Sequence, residues 1–323
     1  MKKFVLSFLG VLFLFCSCQL DQQHDFEIIV KRLDTLYTTK AHHSNYDDYA
    51  KAYGYFWEIY TQYVIPLPKS HFQDSLLAFQ QEKDFQKPYQ QLQNTFANFE
   101  PIRNSFSEVF YQYHKEFPER VVPSIVTFFG GFNYVAIATD STLGIGLEMF
   151  LGKDAEFYQK ITQKFPLYMH QQFQPEYMLP LALNGWLDAE FPVSTKDFLS
   201  QMIHYGKIKY AMSRFIKNTQ PHLIMGYSNE QMAWCKNNEF SIWKFLIEQG
   251  LLYSNDQFLI SKYLRPAPYS RGMPTESPGQ VAVWIGWNIV EKFMSNNKDY
   301  SLKDLFQTTN AQFILNQSKY KPQ

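Results

Sequence analysis

The hydrophobic and polar positions of the chain follow a helical period over most of its length and lose that period in one segment. In PIRNSFSEVFYQYHKEF, residues 101–117, apolar side chains at positions 102, 106, 109, 110, 113 and 117 fall on one helix face. This spacing predicts helices across residues 45–117. A further helix in this region is predicted to open at Ser70, where Ser-His-Phe-Gln forms a capping-box pattern.

Residues 121–152 differ from this region in composition and in hydrophobic pattern. VVPSIVTFFGGFNYVAIATDSTLGIGLEMFLG is rich in β-branched and aromatic residues and is interrupted at Gly130-Gly131 and Gly144, which predicts two or three strands. The helical period then returns. One helix is predicted to start from Ser194-Thr195, and another from a capping box of Ser228 and Gln231.

The last long helix is predicted within SPGQVAVWIGWNIVEKFM, residues 277–294. Ser277 would be its N-cap, Pro278 its first residue and Gln280 the third. The segment is apolar on nearly all sides, which is typical of a buried helix. Gly286 in its middle costs about 1 kcal/mol relative to alanine, so we expect a neighbouring backbone to approach closely there.

Composition narrows the class of protein. The chain has 323 residues, of which 46% are hydrophobic and 18% aromatic, and this predicts a well-filled core rather than a disordered chain. Lys plus Arg and Asp plus Glu number 30 each, so no net charge favours nucleic acid. The sequence therefore predicts a mainly helical α+β fold with a small sheet and no nucleic-acid partner.

The N-terminus carries the pattern of an exported lipoprotein. Two lysines precede a mostly apolar run, Phe4–Phe15, that is too short to span a bilayer but fits a secretory signal. Cys18 follows the small residue Ser17, as lipidation requires, whereas Cys16 follows a phenylalanine. The alternative is an ordinary secreted protein with cysteines near its cleavage site.

These features predict three regions along the chain. Residues 1–17 would be the signal peptide, residues 18–44 a lipidated anchor and tether, and residues 45–323 a single domain. A lipid on Cys18 would tether the domain to a membrane of the cell envelope without embedding it. We expect the domain to face the periplasm.

One stretch has the spacing of a zinc site without its ligands. Asn184-Gly185-Trp186-Leu187-Asp188 matches the spacing of H-E-x-x-H, but no two of the eight histidines stand four residues apart on a predicted helix. The other candidates are isolated. They are Glu148 at the end of a predicted strand, His204 in a segment with a helical pattern, and Cys235, which is interpreted as a core residue.

Several strings of the chain are unusual. They are Phe132-Asn133, GIGLEMFLGKDAEFY, GYSNEQMAWCKNNEFSIWKFLIEQGLLYSND, ESPGQVAVWIGWNIVEKFM and the terminal SKYKP. Together they resemble the gliding motility-associated lipoprotein GldB family, and the resemblance runs from the lipobox cysteine to the last residues. Because that family is required for surface movement of gliding bacteria, the resemblance implies a role in gliding motility, with other envelope proteins of the gliding machinery as partners.

The same order of segments is similar to a group of predicted zinc peptidases with a zincin-like fold. This resemblance places Asn184, Gly185 and Asp188 on the zinc helix and Tyr205 at the third ligand. Zinc hydrolysis needs three strong ligands and a general base. Asn184 is a weak ligand, Gly185 has no side chain to act as the general base, and Tyr205 ligates poorly at neutral pH. The sequence therefore predicts a degenerate peptidase without metal, cofactor or catalytic residues. The alternative is that the spacing arose by chance.

Three functions follow from these patterns. The first is a non-catalytic, envelope-anchored component or helper of the gliding machinery that acts through protein contacts. The second is a periplasmic hydrolase of envelope protein or peptidoglycan that uses Glu148, Asp188 and His204. The third is a ligand-binding lipoprotein, although abundant aromatic residues are more often core than pocket.

Overall fold

A computed structural model describes residues 26–38 and 45–322 of the chain. The predicted signal segment and the lipidation site Cys18 lie outside the described residues. The described part contains helices on both sides of a group of strands along the sequence, and its secondary structure is mainly helical. The predicted mainly helical α+β class with a small sheet is confirmed.

The strands form one four-stranded mixed sheet in the order β1-β2-β4-β3. The central pairs β1-β2 and β2-β4 are parallel, and β3 pairs antiparallel with β4 at one edge, with Ala136 opposite Ile145. Three of the strands come from residues 121–152, which confirms the prediction for that segment. The strands are β1 Val30–Arg32, β2 Ser124–Phe128, β3 Ala136–Ala138 and β4 Thr142–Gly146.

The strand β1 lies in the segment that the sequence assigned to the tether. Ile28, Leu33 and Leu36 around it are buried, so the folded part begins well before residue 45. The fully buried carboxylate of Asp34 accepts two hydrogen bonds of 2.7 Å from Arg32. A three-residue strand that reads Val-Lys-Arg shows no apolar alternation, and this is why the pattern alone did not predict it.

Fourteen α-helices lie within the described residues. Five precede the main strands, as predicted for residues 45–117, and nine follow them. They are α1 Tyr46–Tyr53, α2 Tyr55–Ile59, α3 Phe72–Gln81, α4 Lys83–Thr95, α5 Glu100–Glu116, α6 Pro175–Glu190, α7 Phe198–Phe215, α8 Pro221–Met225, α9 Asn229–Asn237, α10 Glu239–Glu248, α11 Gln257–Leu264, α12 Val281–Asn296, α13 Leu302–Gln307 and α14 Ala311–Ser318.

Helix starts were predicted with mixed success. The capping box of Ser228 and Gln231 is present at the start of α9. The prediction at Ser70 was wrong, because α3 begins at Phe72 after His71, which makes no capping hydrogen bond. The helix expected near Lys196 begins at Phe198, where the side chain of Asp197 is the N-cap.

The N-cap predicted for α12 was also wrong. Gln280, in a left-handed conformation, precedes the helix, and the hydroxyl of Ser277 instead accepts a hydrogen bond from the backbone N–H of Ser270. Tertiary contacts of the residues before Val281 prevent the helix from beginning earlier. The carbonyl of Gly279 accepts a hydrogen bond from Tyr227, and a Cβ on Gly279 would lie 2.4 Å from the backbone nitrogen of Ala267.

Helices α7 and α12 cross with their backbones in contact. A Cβ on Gly206 would lie 2.3 Å from the backbone of Gly286, and a Cβ on Gly286 would lie 2.1 Å from the carbonyl oxygen of Met202. Such approaches exclude any side chain at either position. The close neighbouring backbone expected at Gly286 is therefore confirmed.

The apolar side chains form one hydrophobic cluster that runs from Ile28 to Tyr320. Its largest fully buried members include Trp57, Trp186 and Tyr60, so much of the aromatic content serves as core. None of the helices within residues 26–38 and 45–322 is long and apolar enough to cross a membrane.

Candidate functional site

Three of the four residues predicted at a degenerate zinc site, Asn184, Gly185 and Asp188, lie on α6, beside the edge strand β3. Pro175 occupies the first turn of α6, where its missing N–H leaves no helix bond unmade. Gly185 faces β3, and a Cβ on it would make an ordinary 3.7 Å contact with the Cβ of Ala136. Asn184 and Asp188, one turn apart, share a face of the helix, as predicted.

A lysine from α7 completes this face. The Nδ2 of Asn184 donates to the Oδ2 of Asp188 at 2.7 Å, and the Nζ of Lys209 donates to the Oδ1 of Asn184 at 2.8 Å. Lys209 also donates to the backbone carbonyl of Ile224 at 2.9 Å. The amide of Asn184 thus bridges a carboxylate and an ammonium group, and we call these three residues the Asp-Asn-Lys network.

Burial and charge act against each other in this network. Burial raises the pKa of Asp188, while Lys209, the hydrogen bond from Asn184 and the charge of Arg265 oppose that rise. Burial lowers the pKa of Lys209 to about 8, and the charge of Asp188 opposes that fall. Each charge therefore stabilises the other in a place that would otherwise favour the neutral forms.

Tyr205, predicted at the third ligand position, lies within electrostatic range of the same group. Burial raises its pKa, the charge of Arg265 opposes this rise and the charge of Asp188 adds to it. Tyr205 thus lies within range of the charge of Asp188, but no hydrogen bond joins it to Asn184 or Asp188 within the described residues, and the zincin-like arrangement stays a prediction. Reasoning from the sequence missed Lys209 and Arg265, which come from α7 and from the loop after α11.

The residues around Asp188 do not suit zinc. A zinc site needs three N, O or S ligands around the ion, and here the Oδ1 of Asn184 already accepts from an ammonium group. The positive charge of Lys209 beside the single carboxylate would also repel a divalent cation. Across the described ranges, no three His, Cys, Asp or Glu residues cluster in a way that could hold a metal ion.

Glu148 occupies a sealed position just after β4. It is fully buried, and its Oε1 accepts hydrogen bonds from the backbone N–H groups of Gly130 and Phe132 at 2.7 and 3.1 Å. Its Oε2 has no hydrogen-bond partner within the part of the chain that the structure describes. Burial raises its pKa to about 7 despite these bonds. Glu148 therefore holds the loop between β2 and β3 in place and has no access to a substrate.

His204 lies on α7 near the C-terminal end of α6. Burial, together with the charge of Lys207, lowers its pKa to about 4. No hydrogen bond or ion pair joins any two of Glu148, Asp188 and His204 in the part of the chain that the structure describes. The structure thus places the three residues of the hydrolase hypothesis in three separate surroundings.

Cys235 is a core residue, as the sequence predicted. Its side chain is fully buried on α9, and burial raises the pKa of the thiol to about 12. Because the thiolate is the reactive form, such a thiol is inert at neutral pH.

The sequence matches the family of gliding motility protein GldB over residues 19–322. The chain belongs to the GldB family. No curated protein and no solved structure is similar enough to count as a match.

Membership of the GldB family confirms the family resemblance seen in the sequence. It supports a role related to gliding motility and an association with the cell envelope. The match covers both α6 and α7, so the Asp-Asn-Lys network lies within the family region. The family match begins at residue 19, directly after Cys18.

Proposed function

We propose that this GldB-family protein is a non-catalytic, lipid-anchored component or helper of the gliding machinery that acts through contacts with other envelope proteins. Family membership supports the cellular role. The anchor would be a lipid on Cys18, and the folded part would face the periplasm. The Asp-Asn-Lys network carries the non-catalytic part of the proposal.

The network supports this proposal because its hydrogen bonds join its own members. The Oδ2 of Asp188 accepts from the amide of Asn184, and the oxygen of that amide accepts from Lys209. This arrangement stabilises the crossing of α6 and α7. We infer that it is a structural replacement for chemistry on that helix.

We also propose that the fold derives from a zincin-like peptidase. The antiparallel edge strand β3 beside α6, followed by α7 with Tyr205, has the order expected of such a peptidase. On this interpretation, Asn184, Gly185, Asp188 and Tyr205 occupy the former metal-binding positions. Lys209 would provide the positive charge that a metal ion once supplied.

Complementation of a deletion strain tests the non-catalytic role. The double variant Asp188→Asn/Lys209→Met removes both charges together and so avoids leaving one of them unpaired. We expect it to restore spreading over agar to the wild-type level, because no carboxylate or ammonium chemistry at this site is needed. Colony spreading is measured at matched protein levels, which are checked by immunoblotting of membrane fractions.

Two further results sharpen this experiment. The variant Cys18→Ala should be lost from the membrane fraction and should fail to restore spreading, which reports on the anchor alone. If the double variant is present at normal levels and the cells still do not spread, the charges themselves are needed. Turnover of casein or muropeptides by the wild-type chain that disappears in the double variant would favour the hydrolase function.

A further inference from the structure

A second polar site lies on α7, where Lys207 stands two residues before Lys209 of the network. A cavity of about 250 Å³ opens between the C-terminal end of α6, the first half of α7 and the segment that joins α13 to α14. Its walls include Arg120, Glu190, His204 and Lys207, with the hydroxyl of Ser200. None of these side chains belongs to the Asp-Asn-Lys network.

Lys207 is the unusual member of this group. Only 7% of it is exposed, and its Nζ donates to the backbone carbonyl of Thr308 at 2.6 Å. An ammonium group has three N–H donors, and this is the one hydrogen bond from that nitrogen found across residues 26–38 and 45–322. No carboxylate in those ranges lies within 4.0 Å of it as an ion-pair partner. Burial lowers its pKa to about 8.

The other charges of the cavity cancel. Arg120 and Glu190 form an ion pair of 2.8 Å, and Glu190 also accepts a hydrogen bond from the hydroxyl of Tyr113 at 3.0 Å. Arg120 donates again to the backbone carbonyl of Glu190. The positive charge of Lys207 is therefore the uncompensated charge among the residues that line this cavity.

His204 adds no charge at neutral pH. Burial and the nearby Lys207 lower the pKa of its imidazole to about 4, and a hydrogen bond with the backbone of Phe191 opposes this fall. A neutral imidazole has one donor and one acceptor nitrogen. The hydrogen bond with Phe191 uses the one N–H of the neutral ring, so His204 offers an oxyanion no donor and adds no positive charge to that of Lys207.

We propose that this cavity binds a small oxyanion, either a carboxylate or a phosphate group, at the ammonium group of Lys207. A buried cation without a partner is unfavourable, and an oxyanion would supply both the missing negative charge and acceptors for the unused N–H donors. Charge-assisted bonds of this kind are among the stronger hydrogen bonds in proteins. The cavity is smaller than a typical drug-sized pocket, which limits the ligand to a few heavy atoms.

Isothermal titration calorimetry on the full chain in detergent tests this proposal. The probes are sodium acetate and inorganic phosphate, each titrated at a constant ionic strength set with chloride. We expect one of the two anions to bind saturably with one site per chain. In Lys207→Met the affinity for that anion should fall by at least about tenfold, because a hydrogen bond to a charged group is lost.

The matched control is Lys196→Met, which removes an exposed lysine from the segment just before α7 and should bind the anion as the wild type does. Acetate binding would identify a carboxylate site, and phosphate binding a phosphate site. Saturable binding of neither anion, or equal binding in Lys207→Met and the wild type, would overturn the proposal.

A second measurement uses the unaltered chain. The rate at which an amine-reactive ester labels Lys207 is followed by mass spectrometry, with and without the anion that binds. Bound anion should slow the labelling of Lys207 and leave that of Lys196 unchanged. Equal labelling of Lys207 in both conditions would also overturn the proposal. Both experiments are independent of the motility role.

Discussion

Two lysines stand two residues apart on α7, and both are buried, but their surroundings differ. Lys209 reaches the carboxylate of Asp188 through the amide of Asn184 and also donates to a backbone carbonyl. Among the described residues, Lys207 has a single carbonyl partner and no carboxylate within 4.0 Å. Burial lowers the pKa of each to about 8, yet only Lys209 has an acid that opposes the fall.

This difference distinguishes the ammonium group of Lys209, whose charge is compensated within the fold, from that of Lys207, which has N–H donors left for a ligand. A buried cation with a compensating anion closes a network and fixes the packing of two helices. A buried cation without such an anion adjoins a cavity and leaves donors unused. The comparison teaches that burial alone does not identify a binding residue, whereas burial without charge compensation does point to one.

The largest expected effect on stability comes from removing the acid that compensates the charge of Lys209. Asp188→Ala leaves the ammonium of Lys209 buried without its acid, and we expect a loss of about 3 kcal/mol in the free energy of unfolding. Urea denaturation at pH 7 measures this loss, with the exposed Asp154→Ala as the control. Adding Lys209→Met should recover most of it. A loss below about 1 kcal/mol would show that Lys209 is not held by Asp188.

Glu148 extends the comparison to a buried acid. Its pKa is raised from 4.5 to about 7, and no cation is among the groups that shift it. Folded chains therefore keep a proton that unfolded chains lose, so stability is full below pH 4.5 and falls as the pH rises through 7. We expect Glu148→Gln to match the wild type at pH 4.5 and to exceed it by about 2 kcal/mol at pH 8.

Denaturation of both chains across this pH range measures the difference. The amide keeps an acceptor for Gly130 and Phe132 and removes the titration. A constant difference between the two chains from pH 4.5 to pH 8 would mean that Glu148 does not titrate there.

The smallest expected effect concerns the uncompensated lysine. Because the pKa of Lys207 is lowered from 10.5 to about 8, the unfolded chain holds more protons between these values and stability rises with pH there. Lys207→Met should therefore be more stable than the wild type by about 1 kcal/mol at pH 7. This gain should shrink as the pH rises from 8 toward 10.

Thermal or urea unfolding of the two chains, without added oxyanion, measures this gain. If Lys207→Met is instead less stable than the wild type at pH 7, the ammonium group has a compensating partner and the contrast with Lys209 fails.

Much of the fold was predictable because it depends on local periodicity. Residues 101–117 form nearly one helix, and the glycine-interrupted segment 121–152 forms three strands. The starts of helices were less predictable. Ser277 has the local sequence features of an N-cap. Because Gly279 lies in close contact with the backbone of Ala267, however, α12 begins only at Val281.

The candidate site was predictable only in part. The pairing of Asn184 with Asp188 follows from helical spacing alone. Lys209 lies 25 residues from Asn184 in sequence, so its contact arises from the crossing of α6 and α7. Among the described residues, no carboxylate lies within 4.0 Å of Lys207, and this too is set by tertiary packing and not by local sequence. Charge patterns in a sequence give the number of charged groups and not their distances.

The early position of β1 has a consequence for where this protein works. If Cys18 carries the lipid, the buried Ile28 that precedes the sheet follows it by ten positions along the chain. An extended chain covers at most about 3.6 Å per residue, so this link spans no more than about 36 Å. The folded part then stays close to the membrane that holds its anchor. If the folded part faces the periplasm, as proposed, a partner fixed in the opposite membrane would have to extend toward it to make contact.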